Sequence, residues 1–227
     1  MTSNLMQAAR EWAAEHPLFI AAISNLEQQG IQAAVFSSAF HHIVCRAFQL
    51  PSLRPPGDID LLVMRDQFDE AARLLGGYVR LKQVTFSTHD GHEATFIARE
   101  VVVHIGPDEI QLMDPLTPLA VGPHEYQTDY TQHAVKARTV VETGQGLLPL
   151  AHMVDTIGMY AIIQRDGAKN DAHNAATLIR AYDPFVDPYT TERARDMGWN
   201  TRVWSFIKAA QETAHAQQSA PPQLIQT

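Results

Sequence analysis

The stretch Pro56-Gly57-Asp58-Ile59-Asp60-Leu61-Leu62-Val63 places two carboxylates at alternating positions inside an otherwise apolar, strand-like run. Side chains along a strand alternate between its two faces, so we expect Asp58 and Asp60 to share one face. Two neighbouring carboxylates repel each other, and a bound divalent cation removes that repulsion. Because Mg²⁺ commonly uses one or two protein carboxylates together with substrate phosphates, the pattern predicts a metal site that also holds a nucleotide. The alternative is a solvated turn before a buried strand, because Pro and Gly ahead of Asp58 are common in turns.

Two segments of interest precede this strand in the sequence. Residues 33–40 have the sequence Ala-Ala-Val-Phe-Ser-Ser-Ala-Phe, and Arg54 lies four residues before Asp58. This order resembles the nucleotidyltransferase superfamily, which includes DNA polymerase beta and the aminoglycoside nucleotidyltransferases. There, a helix carrying Gly-Gly or Gly-Ser precedes a strand with the pattern Asp-hydrophobic-Asp-hydrophobic, often with such an Arg. The resemblance covers the first half of the chain and implies an α+β fold, with a mixed β-sheet flanked by helices and a mainly helical C-terminal part.

The resemblance also implies an activity, a metal-dependent nucleotidyltransferase that transfers an NMP group from an NTP to an acceptor hydroxyl. It assigns Mg²⁺ or Mn²⁺ to Asp58 and Asp60, and the nucleotide to Ser37, Ser38 and Arg54. The superfamily usually has Gly where this chain has Ser37. A Cβ restricts backbone conformations that Gly visits freely, although the N–H of Ser37 still offers a donor to phosphate.

The third acidic residue of the superfamily lies on a later strand, and the matching segment here is Glu109-Ile110-Gln111-Leu112-Met113-Asp114-Pro115. The matching position is Gln111, whose amide can bind a metal or orient a hydroxyl but cannot take up a proton near neutral pH. Glu109 shares the face of Gln111 in a regular strand, and Asp114 lies at the strand end. Glu109, Gln111 and Asp114 are therefore alternative members of the site. Whether the site converts its substrate to product is left open at this point.

A second resemblance lies between residues 164 and 174. Many bacterial nucleotidyltransferases have here a helix, an Arg, and then Lys-Asp-x-x-Asp at the start of the next helix, whereas this chain has Lys169, an inserted Asn170 and then Asp171. A Lys at a helix start beside an acidic metal site is placed to contact a triphosphate, so we assign Lys169 and Asp171 to nucleotide binding. The alternatives are a solvated loop charge for Lys169 and an N-cap for Asp171.

Two further functions fit the same residues. Ser37 and Gln111 favour a catalytically weak or inactive pseudoenzyme, which would bind a nucleotide or a partner without releasing pyrophosphate. The superfamily also contains toxins held in check by an antitoxin, so an antitoxin-like partner is a third hypothesis. The acceptor itself is not encoded in any motif, and an acidic chain with a helical second half favours a small molecule or a protein.

Composition sets the remaining expectations. The chain has 227 residues, of which 45% are hydrophobic, and its formal net charge is −8. Nucleic-acid binding normally needs cations clustered along one face, so nucleic acid is disfavoured as the acceptor; a local patch of Arg54, Arg65, Arg80 and Lys82 is the alternative. The single cysteine, Cys45, excludes an internal disulfide. We find neither a membrane-length apolar run nor a signal pattern, and expect a cytoplasmic protein without membrane association.

Periodicity and turn residues divide the chain into a part over 1–122, a mainly helical region over 123–216 and a disordered tail over 217–227. The resemblance implies that the part over 1–122 is a nucleotidyltransferase-like catalytic domain. Helices are predicted over 8–15, 18–30, 38–48, 66–75, within 147–180 and within 191–215. Besides the strand with the two aspartates, strands are predicted over 78–88, 94–98, 101–105 and 109–113, and 31–36 is a short strand or the lead into a helix. Tight connections are predicted at 89–92 and at Arg99-Glu100.

Overall fold

The computed structural model describes residues 3–52, 56–127, 130–166 and 169–219. The helices in these ranges are α1 (Ser3–Glu15), α2 (Pro17–Gln28), α3 (Ser37–Phe48), α4 (Phe68–Leu74), α5 (Tyr130–Lys136), α6 (Met153–Ile163), α7 (Asp171–Ala181), α8 (Pro188–Asp196) and α9 (Thr201–Ser219). The strands are β1 (Ala33–Phe36), β2 (Ile59–Val63), β3 (Arg80–Ser87), β4 (Glu93–Ile105), β5 (Asp108–Pro115), β6 (Leu119–Val121), β7 (His124–Tyr126), β8 (Thr139–Thr143) and β9 (Gly146–Leu150).

These strands form one mixed sheet, which confirms the predicted α+β fold. Its order is β7-β6-β4-β5-β2-β1-β9-β8, and β3 pairs with β4 outside this path. β2 runs parallel to β5 and β1 runs parallel to β9, whereas β1 and β2 are antiparallel. The strand with the two aspartates is therefore central, with a neighbour on each edge.

The N-terminal helices match the sequence pattern closely because their apolar spacing is helical. Pro17 occupies the first turn of α2, where its missing N–H leaves no helical bond unmade. Phe19, Ile23 and Leu26 recur on one face of α2 and are fully buried. The helix ends before Gly30, whose φ of 79° lies in the left-handed region that favours glycine. This packing places α2 against β9 and β1, behind the strand edge that leads into α3.

One predicted turn is wrong. Arg99 and Glu100 do not connect two strands; they lie inside β4, which runs unbroken from Glu93 to Ile105. β4 pairs with β3 along one edge and with β5 along the other, and both pairings include Arg99 and Glu100. Their charges are satisfied by side chains distant in sequence, Asp114 for Arg99 and Lys82 for Glu100. Two adjacent charged residues are therefore compatible with the middle of a strand when other strands supply their partners.

The sheet extends past residue 122, since β8 and β9 lie within the region predicted to be mainly helical. β9 completes the sheet beside β1, through the pairing of Val35 with Leu150. Beyond β9 the described chain is helical, as predicted. α9 continues to Ser219, so the predicted disordered tail is helical over its first three residues, and 220–227 lie outside the described residues. In the described part of the chain, the helices are too short or too polar to cross a membrane.

Candidate active site

Asp58 and Asp60 lie at the N-terminal end of β2 and line one cavity. Asp60 pairs with Phe36 of β1 on one side and with Gln111 of β5 on the other. Burial and the neighbouring charge of Asp58 raise the pKa of Asp60 to about 6. The charge of Asp58 thus disfavours the ionised form of Asp60, and a bound cation would relieve this repulsion.

The two serines fasten the N-terminus of α3 to this strand. The backbone of Ser37 has φ 55°, in the left-handed region that favours glycine, at the position where the superfamily usually has Gly. Such a conformation costs an ordinary residue about 1–2 kcal/mol, so the fold keeps the turn without the residue that best fits it. The Ser37 hydroxyl hydrogen-bonds Asp60 and lowers its pKa, opposing the effect of burial, and it also bonds Tyr160. Ser38 Oγ donates to the backbone carbonyl of Asp58 over 3.3 Å.

The cavity has a volume of about 870 Å³, a size typical of ligand sites. Its walls come from the ends of β1 and β2, from β3, from β5, and from the segment that joins α6 to α7. Most of the predicted site residues line it, namely Ser37, Ser38, Asp58, Asp60, Gln111 and Lys169. The structure therefore brings together residues from four separate stretches of the sequence.

The other candidates lie elsewhere. Glu109 borders a smaller depression of about 90 Å³ that it shares with Asp58, and it is not among the residues lining the main cavity. Asp114 points to the opposite face of β5 from Gln111, where it is buried and paired with Arg65 and Arg99. Arg54 lies outside the described residues. Of the three alternatives on β5, Gln111 alone faces the main cavity.

Asp171 holds an arginine at the cavity instead of lining it. Its buried carboxylate accepts a hydrogen bond of 2.7 Å from the backbone N–H of Arg165 and two of 3.1 Å from the guanidinium. The N-cap of α7 is Asn170, whose side chain accepts from the N–H of His173, so the alternative role of Asp171 as N-cap is wrong. Arg165 lines the cavity, and both it and Lys169 lower the pKa of Asp60 through their charges.

Sequence reasoning missed Glu100, which supports Gln111 from the adjacent strand. Its fully buried carboxylate accepts hydrogen bonds from Gln111 Nε2 (2.5 Å), Lys82 Nζ (2.5 Å) and Arg80 Nε (2.7 Å). Burial opposes its ionisation, but these three donors outweigh burial and hold the pKa of Glu100 below its ordinary value. Since a carboxylate can only accept, it fixes the amide nitrogen of Gln111 toward itself. Glu100 offsets one of the two positive charges of Arg80 and Lys82, which weakens the alternative of a basic patch.

The donor set suits an oxygen-preferring cation with few protein ligands. Within the described residues, no group of three or more His, Cys, Asp or Glu side chains is arranged to hold a metal ion. A cation here would rely on Asp58 and Asp60 and would take further oxygens from a substrate and from water, as Mg²⁺ commonly does. The mutual repulsion of the two carboxylates fits such an ion.

Comparisons with known proteins give likenesses of fold. An antigenic nucleotidyltransferase-like protein from Paracoccidioides brasiliensis aligns over 89% of this chain and 90% of its own, with 13% sequence identity and a TM-score of 0.48. The antibiotic-resistance factor ANT(2'')-Ia aligns over 91% of this chain and 96% of its own, with 12% identity and a TM-score of 0.36. No protein-family model and no curated protein sequence matches the chain. These likenesses concern the course of the chain, and the proposals that follow are supported by the side chains described above.

Proposed function

We propose that the protein is a metal-dependent nucleotidyltransferase, which uses an NTP and Mg²⁺ or Mn²⁺. The observation that carries the proposal is the meeting of Asp58 and Asp60 with Arg165 and Lys169 around one cavity. Paired carboxylates hold the cation, and the two basic side chains match the negative charge of a triphosphate. Neither group alone would specify a nucleotide, but the combination does.

The residues of the chain have separate roles in this proposal. Asp58 and Asp60 bind the cation, which when bound supplies charge stabilisation and orientation for in-line displacement at phosphorus. Ser37 and Ser38 set the start of α3 beside the carboxylates, where backbone N–H groups favour an anion. Arg165, held by Asp171, and Lys169 stabilise the phosphates. The acceptor oxygen bonds to the α-phosphorus, the bond from that phosphorus to the β-phosphate bridging oxygen breaks, and pyrophosphate leaves.

The proton of the acceptor hydroxyl is the weak point of the reaction. Gln111 faces the cavity at the position of the third carboxylate, but an amide is a poor proton acceptor. Glu100 is not a substitute, because three donors stabilise its ionised form and lower its pKa. In this proposal the proton therefore passes to water, and the chemical step is slow.

The amide of Gln111 at the position of the third carboxylate favours a second candidate function, a protein that binds a nucleotide without converting it. The Gln111 amide donates a hydrogen bond to the buried carboxylate of Glu100, so the amide has a structural partner that a second carboxylate at this position would lack. The two candidates share the nucleotide site and differ only in whether pyrophosphate is released.

Pyrophosphate release separates them. We would incubate the wild type with each of the four NTPs, Mg²⁺ or Mn²⁺ and a panel of hydroxyl-bearing acceptors, and compare Asp60→Asn with Asp66→Asn. Asp66 is exposed and lies outside the cavity, so it is a matched control. A transferase releases pyrophosphate in the wild type and in Asp66→Asn but not in Asp60→Asn. Nucleotide binding without release supports the second candidate, and Gln111→Asp then tests whether a carboxylate at this position restores turnover. Release undiminished in Asp60→Asn would contradict the proposed site.

A further inference from the structure

The cavity extends well beyond the carboxylates, along the face of β3. Lys82, Val84 and Phe86 alternate along this strand with residues of greater exposure, so these three side chains face inward. On the neighbouring strand Phe96 is the pair of Val84 and lines the same space. Side chains of β5 continue this face, from Gln111 beside Asp60 to Met113. One continuous surface thus joins the metal end to a distal end.

The inward-facing side chains of the distal end are mainly apolar. Apart from the side chains of β3 and β4, its walls include Met159 and Ile163 of α6 and Leu119 of β6. Phe86 and Phe96 are partly buried and pack against the hydrophobic core, so their rings are held in place while one part of each stays open to the cavity. An immobilised ring offers apolar area at little cost in conformational entropy. Such a wall binds an apolar ligand surface and does not bind a triphosphate.

The charges at the two ends differ. Within the described residues, the acidic side chains that line the cavity are Asp58, Asp60 and Asp166. The first two belong to the metal end, and Asp166 already accepts a hydrogen bond of 2.7 Å from His89. Lys82 lies between the two ends, because its ammonium and the Gln111 amide donate to the same oxygen of Glu100. Within the described residues, a polycationic ligand would find no unpaired carboxylate at the distal end, because Asp166 is already paired with His89, whereas a neutral or singly anionic ligand needs no such partner.

We infer that the distal end, lined by Val84, Phe86, Phe96, Met113 and Leu119, is an acceptor subsite. Its ligand is an apolar, ring-containing small molecule that bears a hydroxyl group and is neutral or carries one negative charge. This inference rests on the proposed function, because a ligand seated there directs a hydroxyl toward the nucleotide end of the same cavity. It names a substrate class and excludes polycationic amino sugars.

The test measures binding directly and does not depend on turnover. Calorimetry on the full chain would use three probes: phenyl β-D-glucopyranoside, phenyl β-D-glucuronide and neamine, which are neutral, singly anionic and polycationic. We expect both phenyl glycosides to bind at least about tenfold more tightly than neamine. Neamine binding as tightly as the phenyl glycosides, or no binding of any probe, would overturn the inference.

Two variants of one strand provide the control. Phe86→Ala removes an inward ring, and Leu81→Ala removes an exposed side chain on the opposite face of β3. We expect Phe86→Ala to weaken phenyl glucoside binding about tenfold and Leu81→Ala to leave it unchanged. Phe86→Leu, which keeps most of the packing volume and removes the ring, serves if Phe86→Ala does not fold. Equal binding by the two strand variants would overturn the subsite.

A parallel titration with Mg·ATP distinguishes failure of this inference from failure of the proposed function. Mg·ATP binding that is intact in Phe86→Ala while glucoside binding is lost is the expected result. Glucoside binding by a wild-type protein that does not bind Mg·NTP would overturn the proposed function, and with it the assignment of the subsite to an acceptor.

Discussion

Replacing Asp171 with Asn tests whether a buried carboxylate keeps Arg165 at the cavity. Asp171 is fully buried and accepts three hydrogen bonds from Arg165, one from its backbone and two from its guanidinium. Asn has nearly the same size but no charge, so the variant removes the ion pair while leaving the packing in place. The guanidinium is then free to turn away from the site.

The expected loss of stability follows from how deeply each partner of the ion pair is buried. Breaking a fully buried ion pair by removing one partner costs about 3–5 kcal/mol. Arg165 is 23% exposed, so water can recover part of that loss. Burial also raises the pKa of Asp171 in spite of Arg165, which shows that desolvation cancels much of the attraction. We therefore expect a loss of about 2 kcal/mol in the free energy of unfolding, which lowers Tm by about 4–8 °C for a chain of this size.

Thermal unfolding followed by circular dichroism measures the stability, and calorimetric titration with Mg·ATP measures the site. Asp69→Asn is the control, because Asp69 also pairs with an arginine, Arg99, but is 74% exposed. Its loss should cost no more than about 0.5–1 kcal/mol and should leave nucleotide affinity unchanged. We expect Asp171→Asn to weaken Mg·ATP binding about tenfold. If the two variants were equal in Tm and in affinity, the reasoning about Arg165 would be refuted.

Three further predictions concern the frame around the site. In urea unfolding, Ser37→Gly should be neutral or stabilise the protein by up to about 1 kcal/mol, and Ser37→Val should destabilise it by about 1–2 kcal/mol, because only Gly adopts the left-handed region freely. Equal stability of the two variants would contradict the strain at this turn. Arg202 holds the pKa of Asp90 well below its ordinary value of 3.8, so this carboxylate stabilises the fold above that pH and ceases to do so as the pH falls toward its folded pKa. Asp90→Asn should therefore cost about 1 kcal/mol at neutral pH and less at about pH 3, and a cost that is constant with pH would count against the pair. Gly158→Ala should destabilise by about 1–3 kcal/mol in thermal unfolding, since its Cβ would lie 2.3 Å from the Trp199 ring; an unchanged Tm would show that the ring can move aside.

The sequence correctly predicted those elements whose conformation depends mainly on neighbouring residues. The alternation of carboxylates with apolar residues predicted the strand with Asp58 and Asp60 because strand periodicity depends only on neighbouring residues. The resemblance placed Ser37 where the superfamily usually has Gly, but nothing in Ser itself predicts the left-handed conformation that the structure has there. The helices of the first thirty residues followed from apolar spacing and from Pro17.

The misses share one cause, which is that the deciding partners are distant in sequence. Arg99-Glu100 was predicted to be a tight connection. The partners that allow these two charges inside a central strand, Asp114 and Lys82, belong to other strands. Asp171 was likewise assigned to the nucleotide, and Arg165 was given no role. Sequence identified the acidic residue as the one that meets the ligand, whereas the fold buries it and exposes the arginine to the cavity. The signal that could have corrected this is the presence of an arginine six residues before the acid, in the segment that joins α6 to α7.

The most direct test of the central claim is a calorimetric titration of each NTP into the protein with and without Mg²⁺. It compares the wild type, Asp60→Asn and the exposed control Asp66→Asn. The account predicts binding that requires Mg²⁺, that weakens at least about tenfold in Asp60→Asn and that is unchanged in Asp66→Asn. Binding of equal affinity in Asp60→Asn and the wild type, or binding indifferent to Mg²⁺, would contradict a metal-dependent nucleotide site at Asp58 and Asp60.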